Sequence, residues 1–247
     1  MKQAVENITP YGIEGATKTS QVRDMFDSIA PAYDFMNRAM TMGVDKLWRR
    51  NAVNIVAKHA PASILDLATG TGDLAIAIAR KLPHAEITGA DLSVSMMEIG
   101  KEKVAKAGLQ DRVRFLQADG TALPLPSNTF DCVTIAYGIR NFEDIAKGYG
   151  EMFRVLKPGG HLVVVELATP VNSVALKAYN VYTKNIIPTV GRMVSRDARA
   201  YSYLPESIAA VPQREDMLTL MRGVGFTATS FHSMTFGSCI IYVGTKA

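Results

Sequence analysis

The sequence predicts an α/β fold, a doubly wound and mostly parallel sheet of seven strands with an antiparallel edge strand. Three observations predict it. Short apolar runs alternate with helix-period stretches between residues 61 and 168, a glycine-rich loop follows the first run, and Pro and Gly punctuate the units. Parallel strands require crossovers, and the crossovers place helices on both faces of the sheet.

Strand one is expected at 63–67, apolar and bounded by Pro61 and the glycine loop. Leu74, Ile78 and Leu82 then recur at i+4, with Ala75 and Ala79 beside them, as the buried face of a first helix. Strand two falls at 85–90. Ser93 suits the N-cap of a second helix that carries Met97, Val104 and Ala107 and stops at Gly108. Residues 113–118 alternate as strand three, and the β-branched run 130–137 makes strand four after a turn at 124–128. A helix over about 144–156 ends at Lys157-Pro158-Gly159-Gly160, which reverses the chain into strand five at 161–167. Five strands joined by four crossovers result. The tail adds a helix near 213–222 and strands over 226–231 and 238–244, close enough to form a hairpin-like antiparallel edge.

No internal repeat of 20 to 50 residues is present. One domain over 1–247 is expected: an N-terminal helical lid at about 21–60, a core at about 61–168, a capping insertion at about 170–212, and a C-terminal helix with edge strands at about 213–247. Ligands of open α/β sheets bind outside the carboxyl ends of the strands, so the lid and the insertion are expected to form the substrate pocket.

Composition narrows the function. With 247 residues, 48% hydrophobic and 20% charged, the chain is neither disordered, collagen-like nor coiled coil. Its apolar runs are a few residues long, far below the roughly 20 needed to span a bilayer. Residues 1–20 lack the apolar stretch of a secretory signal, so the cytosol is the expected compartment. Cys132 and Cys239 lie in strand-like apolar runs without CxxC spacing and are expected to be buried and reduced. The 27 basic and 23 acidic residues are spread along the chain, which argues against nucleic acid. Its four histidines have no metal-ligand spacing, so no metal is expected.

After strand one, Asp66-Leu67-Ala68-Thr69-Gly70-Thr71-Gly72-Asp73-Leu74-Ala75 satisfies G-x-G-x-x-G/A, and Asp91 follows Gly72 by nineteen residues. The glycines allow backbone to approach a ligand closely, and an acid at the end of strand two can accept both ribose hydroxyls. Asp66 beside the loop would repel the pyrophosphate of a dinucleotide but suits the ammonium of an amino-acid moiety. S-adenosylmethionine carries that ammonium and needs no phosphate at the helix N-terminus, where Asp73 already sits. Asp119-Gly120, at the end of strand three, can receive the adenine amino group. Asp66, Gly70, Thr71, Gly72, Asp91, Asp119 and Gly120 are thus the candidate cofactor residues.

The string from Met25-Phe26-Asp27 through Tyr33-Asp34-Phe35-Met36-Asn37, then Trp48-Arg49-Arg50, the 65–73 loop, Tyr137-Gly138-Ile139-Arg140-Asn141 and Arg154-Val155-Leu156-Lys157-Pro158-Gly159-Gly160, resembles the demethylmenaquinone and ubiquinone-precursor C-methyltransferases. These are class I, Rossmann-like S-adenosylmethionine-dependent enzymes, and the resemblance covers about residues 20–245. The Lys-Pro-Gly-Gly turn is common among methyltransferases; the N-terminal string and Tyr-Gly-Ile-Arg-Asn are more specific. It implies a cofactor held at Thr71, Asp91 and Asp119-Gly120. Two positions depart from common patterns. Ala68 stands where many methyltransferases have glycine, and Ala136 where some relatives have a serine near the cofactor, which removes one optional hydrogen bond.

The resemblance implies methyl transfer to a ring carbon of a reduced isoprenoid quinone precursor, demethylmenaquinol with a ubiquinone precursor as a further acceptor. Such a carbon is a weak nucleophile unless a phenolate-like anion is stabilised in line with the methyl group. Arg140 is the candidate for that charge, as a hydrogen-bond donor and not a literal base, and Asn141 for orienting the same oxygen. Tyr33, Asn37, Tyr201 and Tyr203 are second-rank pocket candidates. Met25, Met36, Met40 and Met42 with Phe26, Phe35 and Trp48 offer an adaptable apolar surface for the lipid tail. The partners implied are the isoprenoid quinol, a membrane touched peripherally from the cytoplasm at its inner face, and a homodimer or quinone-synthesis complex. Three rival readings remain at this stage: a methyltransferase of a sterol or another small molecule, an NAD-dependent oxidoreductase, and a non-catalytic scaffold subunit.

Overall fold

The computed structural model describes residues 5–183 and 198–247. Its sheet consists of β1 (Ser63–Leu67), β2 (Glu86–Asp91), β3 (Val113–Gln117), β4 (Phe130–Ala136), β5 (Leu156–Leu167), β6 (Phe226–Met234) and β7 (Cys239–Lys246), in the order β3-β2-β1-β4-β5-β7-β6. Strands β1 to β5 pair in parallel, and β7 runs antiparallel to both β5 and β6. The expected antiparallel pairing at this edge is present, with β6 outermost. Strand order reverses at β1 and β4, so the crevice between their carboxyl ends is the place where the topology opens a ligand site.

Alternation along the strands feeds two cores. Leu65, Leu67, Val133, Ile135, Leu162 and Val164 face α5 (Ile145–Val155) and α8 (Glu215–Val224), meeting Tyr149, Met152 and Met221. Ile64, Ile87, Cys132, Val163 and Val165 face the opposite layer, α2 (Asp45–Ala57), α3 (Asp73–Lys81) and α4 (Val94–Lys106), meeting Val53, Ala75, Ile78 and Val104. Both cysteines are free and buried, as expected, and burial pushes both thiols up. Ser93 caps α4 by accepting from the Met96 amide, and Asp144 caps α5 by accepting from Lys147.

Two connections differ from the sequence expectation. Residues 118–129, between β3 and β4, hold no helix. Instead Arg154 of α5 donates to the carbonyls of Leu123 and Leu125, and Glu151 accepts from the Leu123 amide, so side chains pin this loop. Strand β5 begins at Leu156, because Lys157 to Gly160 bulge out between the Phe130–Leu156 and Cys132–His161 pairs and do not end the ladder.

The N-terminal segment splits into two roles. Helix α1 (Lys18–Thr41), capped by Thr17, lies across the carboxyl ends of the strands. Helix α2 instead packs Trp48, Ala52, Val53 and Val56 into the sheet-covering layer. Met25, Ile29 and Met36 of α1 pack with Ala200 and Tyr203 of α7 (Ala198–Ala210), and α6 (Ser173–Val181) precedes it in the same cap.

Candidate active site

The loop after β1 turns through three left-handed residues, Ala68 (φ +50°), Gly70 (φ +54°) and Gly72 (φ +75°). This conformation is easy for glycine and strained for Ala68. It aims the Gly70 amide at Asp91 Oδ2, 2.8 Å away, while Asp91 Oδ1 accepts from Ser93 N at 2.8 Å. Burial raises the Asp91 pKa despite these two donors. Asp119 Oδ1 accepts from the Thr121 amide and hydroxyl. Gly70, Asp91, Asp119 and Gly120 together line a narrow pocket of about 70 Å³ beneath α1.

Gly120 and Gly148 clasp the ring of Phe142, which lines the same pocket. A Cβ on Gly120 would lie 2.5 Å from that ring, and one on Gly148 would lie 2.2 Å from it. Gly120→Ala therefore forces Phe142, wedged between the two glycines, to shift or strain. The expected outcome is a loss of about 1–3 kcal/mol of stability, read by denaturant unfolding.

A second small pocket, about 50 Å³, continues beyond the loop and is lined by Asp34, Asp66, Thr71, Asp73 and Arg49 among others. Asp66 shares a sheet face and a register with Thr134 of β4, whose hydroxyl donates to Asp66 Oδ1 at 2.7 Å; Thr69 donates to Oδ2 at 2.7 Å. Burial raises its pKa from 3.8 to about 6, against both hydroxyls. Between those values the folded chain holds a proton that the unfolded chain has released. This group therefore lowers stability as pH rises through that window, by about 3 kcal/mol in full. Asp66→Asn is expected to remove this pH dependence, so that the variant melts at or above the parent temperature at pH 7 while the two converge near pH 4.

Thr71 turns away from the first pocket. Its hydroxyl donates to Asp34 Oδ1 of α1 at 2.6 Å, and Lys103 bridges Asp34, Thr71 and Asp73. Ser93 likewise donates to Asp27 Oδ1 of α1 at 2.6 Å. Helix α1 is thus fastened to the loops after β1 and β2 by its own acids.

Beyond β4 the backbone of Tyr137 is also left-handed (φ +58°), and its carbonyl accepts from Arg140 Nη1 and, at 3.3 Å, from Asn141 Nδ2. Arg140 is buried and paired with Glu166 of β5, Nη1 to Oε1 at 2.7 Å, and its amide donates to Glu166 Oε2 at 3.3 Å. Burial alone would lower the Arg140 pKa, but Glu166 holds it above the usual guanidinium value. Lys18, at the start of α1, donates to the Arg140 carbonyl at 3.0 Å, and burial lowers its pKa to about 8. Asn141 Oδ1 accepts from the Tyr203 hydroxyl at 3.1 Å, and Tyr33 is hydrogen-bonded to Asn37 on the next turn of α1.

Arg140, Asn141, Tyr33, Asn37 and Tyr203 all line one cavity of about 240 Å³, walled by Met25, Ile29, Met36, Met40, Trp48 and Leu204. Phe26, Tyr33, Tyr137 and Asn141 line both this cavity and the glycine-loop pocket, so the two compartments share a wall. The side chain of Tyr201 lies outside the described residues. Three residues to which the sequence reading gave no role belong here: Glu166, Lys18 and Tyr137. Glu166 had a signal, a lone acid at the carboxyl end of an apolar strand, the same rule that picked out Asp66, Asp91 and Asp119.

The pockets fit S-adenosylmethionine: a backbone cradle without side chains at Gly70 and Gly120, carboxylates at the ends of β1 to β3, and acids beside the loop where a pyrophosphate would be repelled. The fold matches solved methyltransferases. An S-adenosylmethionine-dependent methyltransferase from Thermotoga maritima superposes with TM-score 0.63 at 19% identity, covering 91% of this chain and 99% of that one. The [4+2]-cyclase SpnF superposes with TM-score 0.65 at 20% identity, covering 95% and 98%. At that identity the likeness speaks for the fold alone. Fold and site define a class I, S-adenosylmethionine-dependent methyltransferase.

The particular family follows from sequence. The chain belongs to the ubiE/COQ5 methyltransferase family, whose match runs over residues 15–246. It is 46% identical over 246 residues to a demethylmenaquinone methyltransferase of Bacteroides fragilis, covering 100% of both chains. It is 44% identical over 240 residues to the ubiquinone/menaquinone biosynthesis C-methyltransferase UbiE of Geobacter sulfurreducens, covering 97% of this chain and 93% of that one. The resemblance read from the motifs holds, and the dehydrogenase reading falls with it.

Proposed function

We propose that this chain methylates the ring carbon of demethylmenaquinol with S-adenosylmethionine as donor, giving menaquinol, S-adenosylhomocysteine and the proton displaced from the ring. One observation carries this reading: an apolar cavity with a buried arginine shares a wall with the glycine-loop pocket. When bound, the donor supplies an electrophilic methyl group on a sulfonium. The residues of the chain do the rest by placement and charge.

Asp91 would accept from the ribose hydroxyls and Asp119 from the adenine amino group. Asp66, with both oxygens already steadied by threonines, would hold the ammonium. A cation there favours the ionised form, so donor affinity falls as pH drops below about 6. Arg140 stabilises negative charge on a quinol oxygen as the ring carbon becomes nucleophilic, and Glu166 fixes the guanidinium plane while doing so. Asn141, steadied by Tyr203 and the Tyr137 carbonyl, orients the same oxygen. Tyr33 belongs to the wall that the two compartments share, and Asn37 lines the cavity beside it.

Among the described residues, two buried side-chain atoms of residues lining this cavity have no hydrogen-bond partner, Arg140 Nε and the Tyr137 hydroxyl. A buried unpaired polar group costs about 1–3 kcal/mol. We assign the two oxygens of a para-quinol to these two groups, each of which must turn into the cavity to meet them. Tyr137→Phe is expected to leave donor affinity unchanged and to lower kcat/KM for the quinol by roughly tenfold, measured in detergent with saturating donor.

No helix among the described residues is long and apolar enough to cross a membrane. Access to a quinol dissolved in lipid is proposed through the cavity rim, where Met42 is exposed. The deciding experiment transfers a labelled methyl group to demethylmenaquinol, with the oxidised quinone, a ubiquinone precursor and a sterol in parallel. Product from the quinol supports the reading. Donor binding without transfer to any quinol overturns the acceptor assignment.

A further inference from the structure

The basic residues look dispersed in sequence, yet the fold gathers five of them. Lys46, Arg49 and Arg50 of α2 and Arg80 and Lys81 of α3 line an open groove of about 430 Å³ between the two helices. Arg49 is occupied by Asp45 and Asp73. The other four are exposed and form no ion pair among the described residues. Arg80 and Lys81 stand in the last turn of α3, where cations suit the helix dipole. Lys46 and Arg50 have no such reason: Lys46 sits in the first turn of α2, where positive charge opposes the dipole, and Arg50 lies mid-helix, where the dipole offers it nothing. Asp45, the acid of that first turn, is already taken by Arg49 and Thr41. The groove is therefore a concentration of positive charge that nothing described in the chain balances.

Arg49 lines both the groove and the apolar cavity, so the two adjoin, and exposed apolar side chains stand on the segments that join them. Leu47, between the groove residues in sequence, is 51% exposed, Met42 is 80% exposed and Phe236 is 83% exposed. Phe236 is presented by a left-handed turn (φ +56°), and its neighbour Thr235 accepts from Trp48 Nε1 at 2.8 Å, which ties that turn to α2. Met42, Trp48 and Thr235 also line the apolar cavity. Cations flanking exposed apolar side chains at a cavity mouth are the chemistry of an interface with anionic lipid.

We propose that the α2–α3 groove binds the headgroup phosphates of anionic phospholipids and docks the cavity mouth onto a negatively charged bilayer. The inference rests on the quinol reading, since it explains how a lipid-dissolved acceptor reaches the cavity. The test uses the full chain and two vesicle types, phosphatidylcholine alone and phosphatidylcholine mixed with phosphatidylglycerol. Sedimentation is expected to show strong preference for the mixed vesicles, lost on raising salt. Lys46→Gln with Arg50→Gln should weaken that partitioning roughly 25-fold, about fivefold for each cation. Transfer of methyl to a short-tailed quinol in detergent should stay unchanged in this variant, which also certifies its fold. Met42→Ser with Phe236→Ser should weaken binding to both vesicle types. Equal partitioning of the parent chain onto both compositions, or a charge variant that partitions like the parent, overturns the proposal. So does displacement from the vesicles by millimolar inorganic phosphate at constant ionic strength, which assigns the groove to a soluble anion. If instead vesicle preference holds but no quinol is methylated, the acceptor assignment fails and the docking surface stands.

Discussion

Arg140→Ala is expected to lower kcat for quinol methylation about 10²–10³-fold, the loss typical when one preorganised charge donor is removed. Affinity for S-adenosylmethionine should move by less than about threefold, because no pocket carboxylate that would hold the donor is bonded to Arg140. The substitution also strands Glu166, buried at the end of β5, and losing one partner of a buried pair costs about 3–5 kcal/mol of stability. Activity therefore has to be compared well below the lowered melting temperature. Arg140→Ala combined with Glu166→Gln separates the two effects. It should restore much of the stability, since the buried charge is gone, and none of the turnover. Recovery of turnover in the double variant, or an equal loss of donor affinity in the single one, would remove Arg140 from its assigned role.

Asp91→Ala should show the opposite division. Its carboxylate is held in place by the Gly70 and Ser93 amides, so the substitution removes the acceptor for the ribose and also leaves those two donors without their partner. At about 1.5–3 kcal/mol for each hydrogen bond to a charged group, two ribose bonds are worth about 3–6 kcal/mol. Donor affinity should fall by about 10²–10⁴-fold in calorimetry, while kcat at saturating donor changes little. Donor binding within about threefold of the parent would mean that the glycine-loop pocket takes its ligand some other way.

The part of the site that rests on strand ends was legible because periodicity locates strand ends and strand ends locate ligands. Asp66, Asp91 and Asp119 were singled out by that rule, and Arg140 by the chemistry that the family resemblance implies. Glu166 obeys it too, yet it lies within a run of valines and leucines and reads as an ordinary strand residue until its partner across β4 is seen. Tyr137 was hidden for a different reason: its left-handed backbone decides where its carbonyl and hydroxyl point, and no side-chain pattern announces that conformation. Thr71 is a position that the resemblance assigns to the cofactor, but its hydroxyl is committed to Asp34 of α1, a contact between residues 37 apart in sequence. The groove cations show the same limit: Lys46 and Lys81 become neighbours only through the packing of α2 on α3.

Helix α1 roofs the glycine-loop pocket with Phe26 and Tyr33, walls the quinol cavity with the same two residues, and is tied down by Asp27 and Asp34. A shift of this one helix is felt in both compartments at once, and the Thr71–Asp34 and Ser93–Asp27 bonds are the two catches that hold it in register with the strand ends.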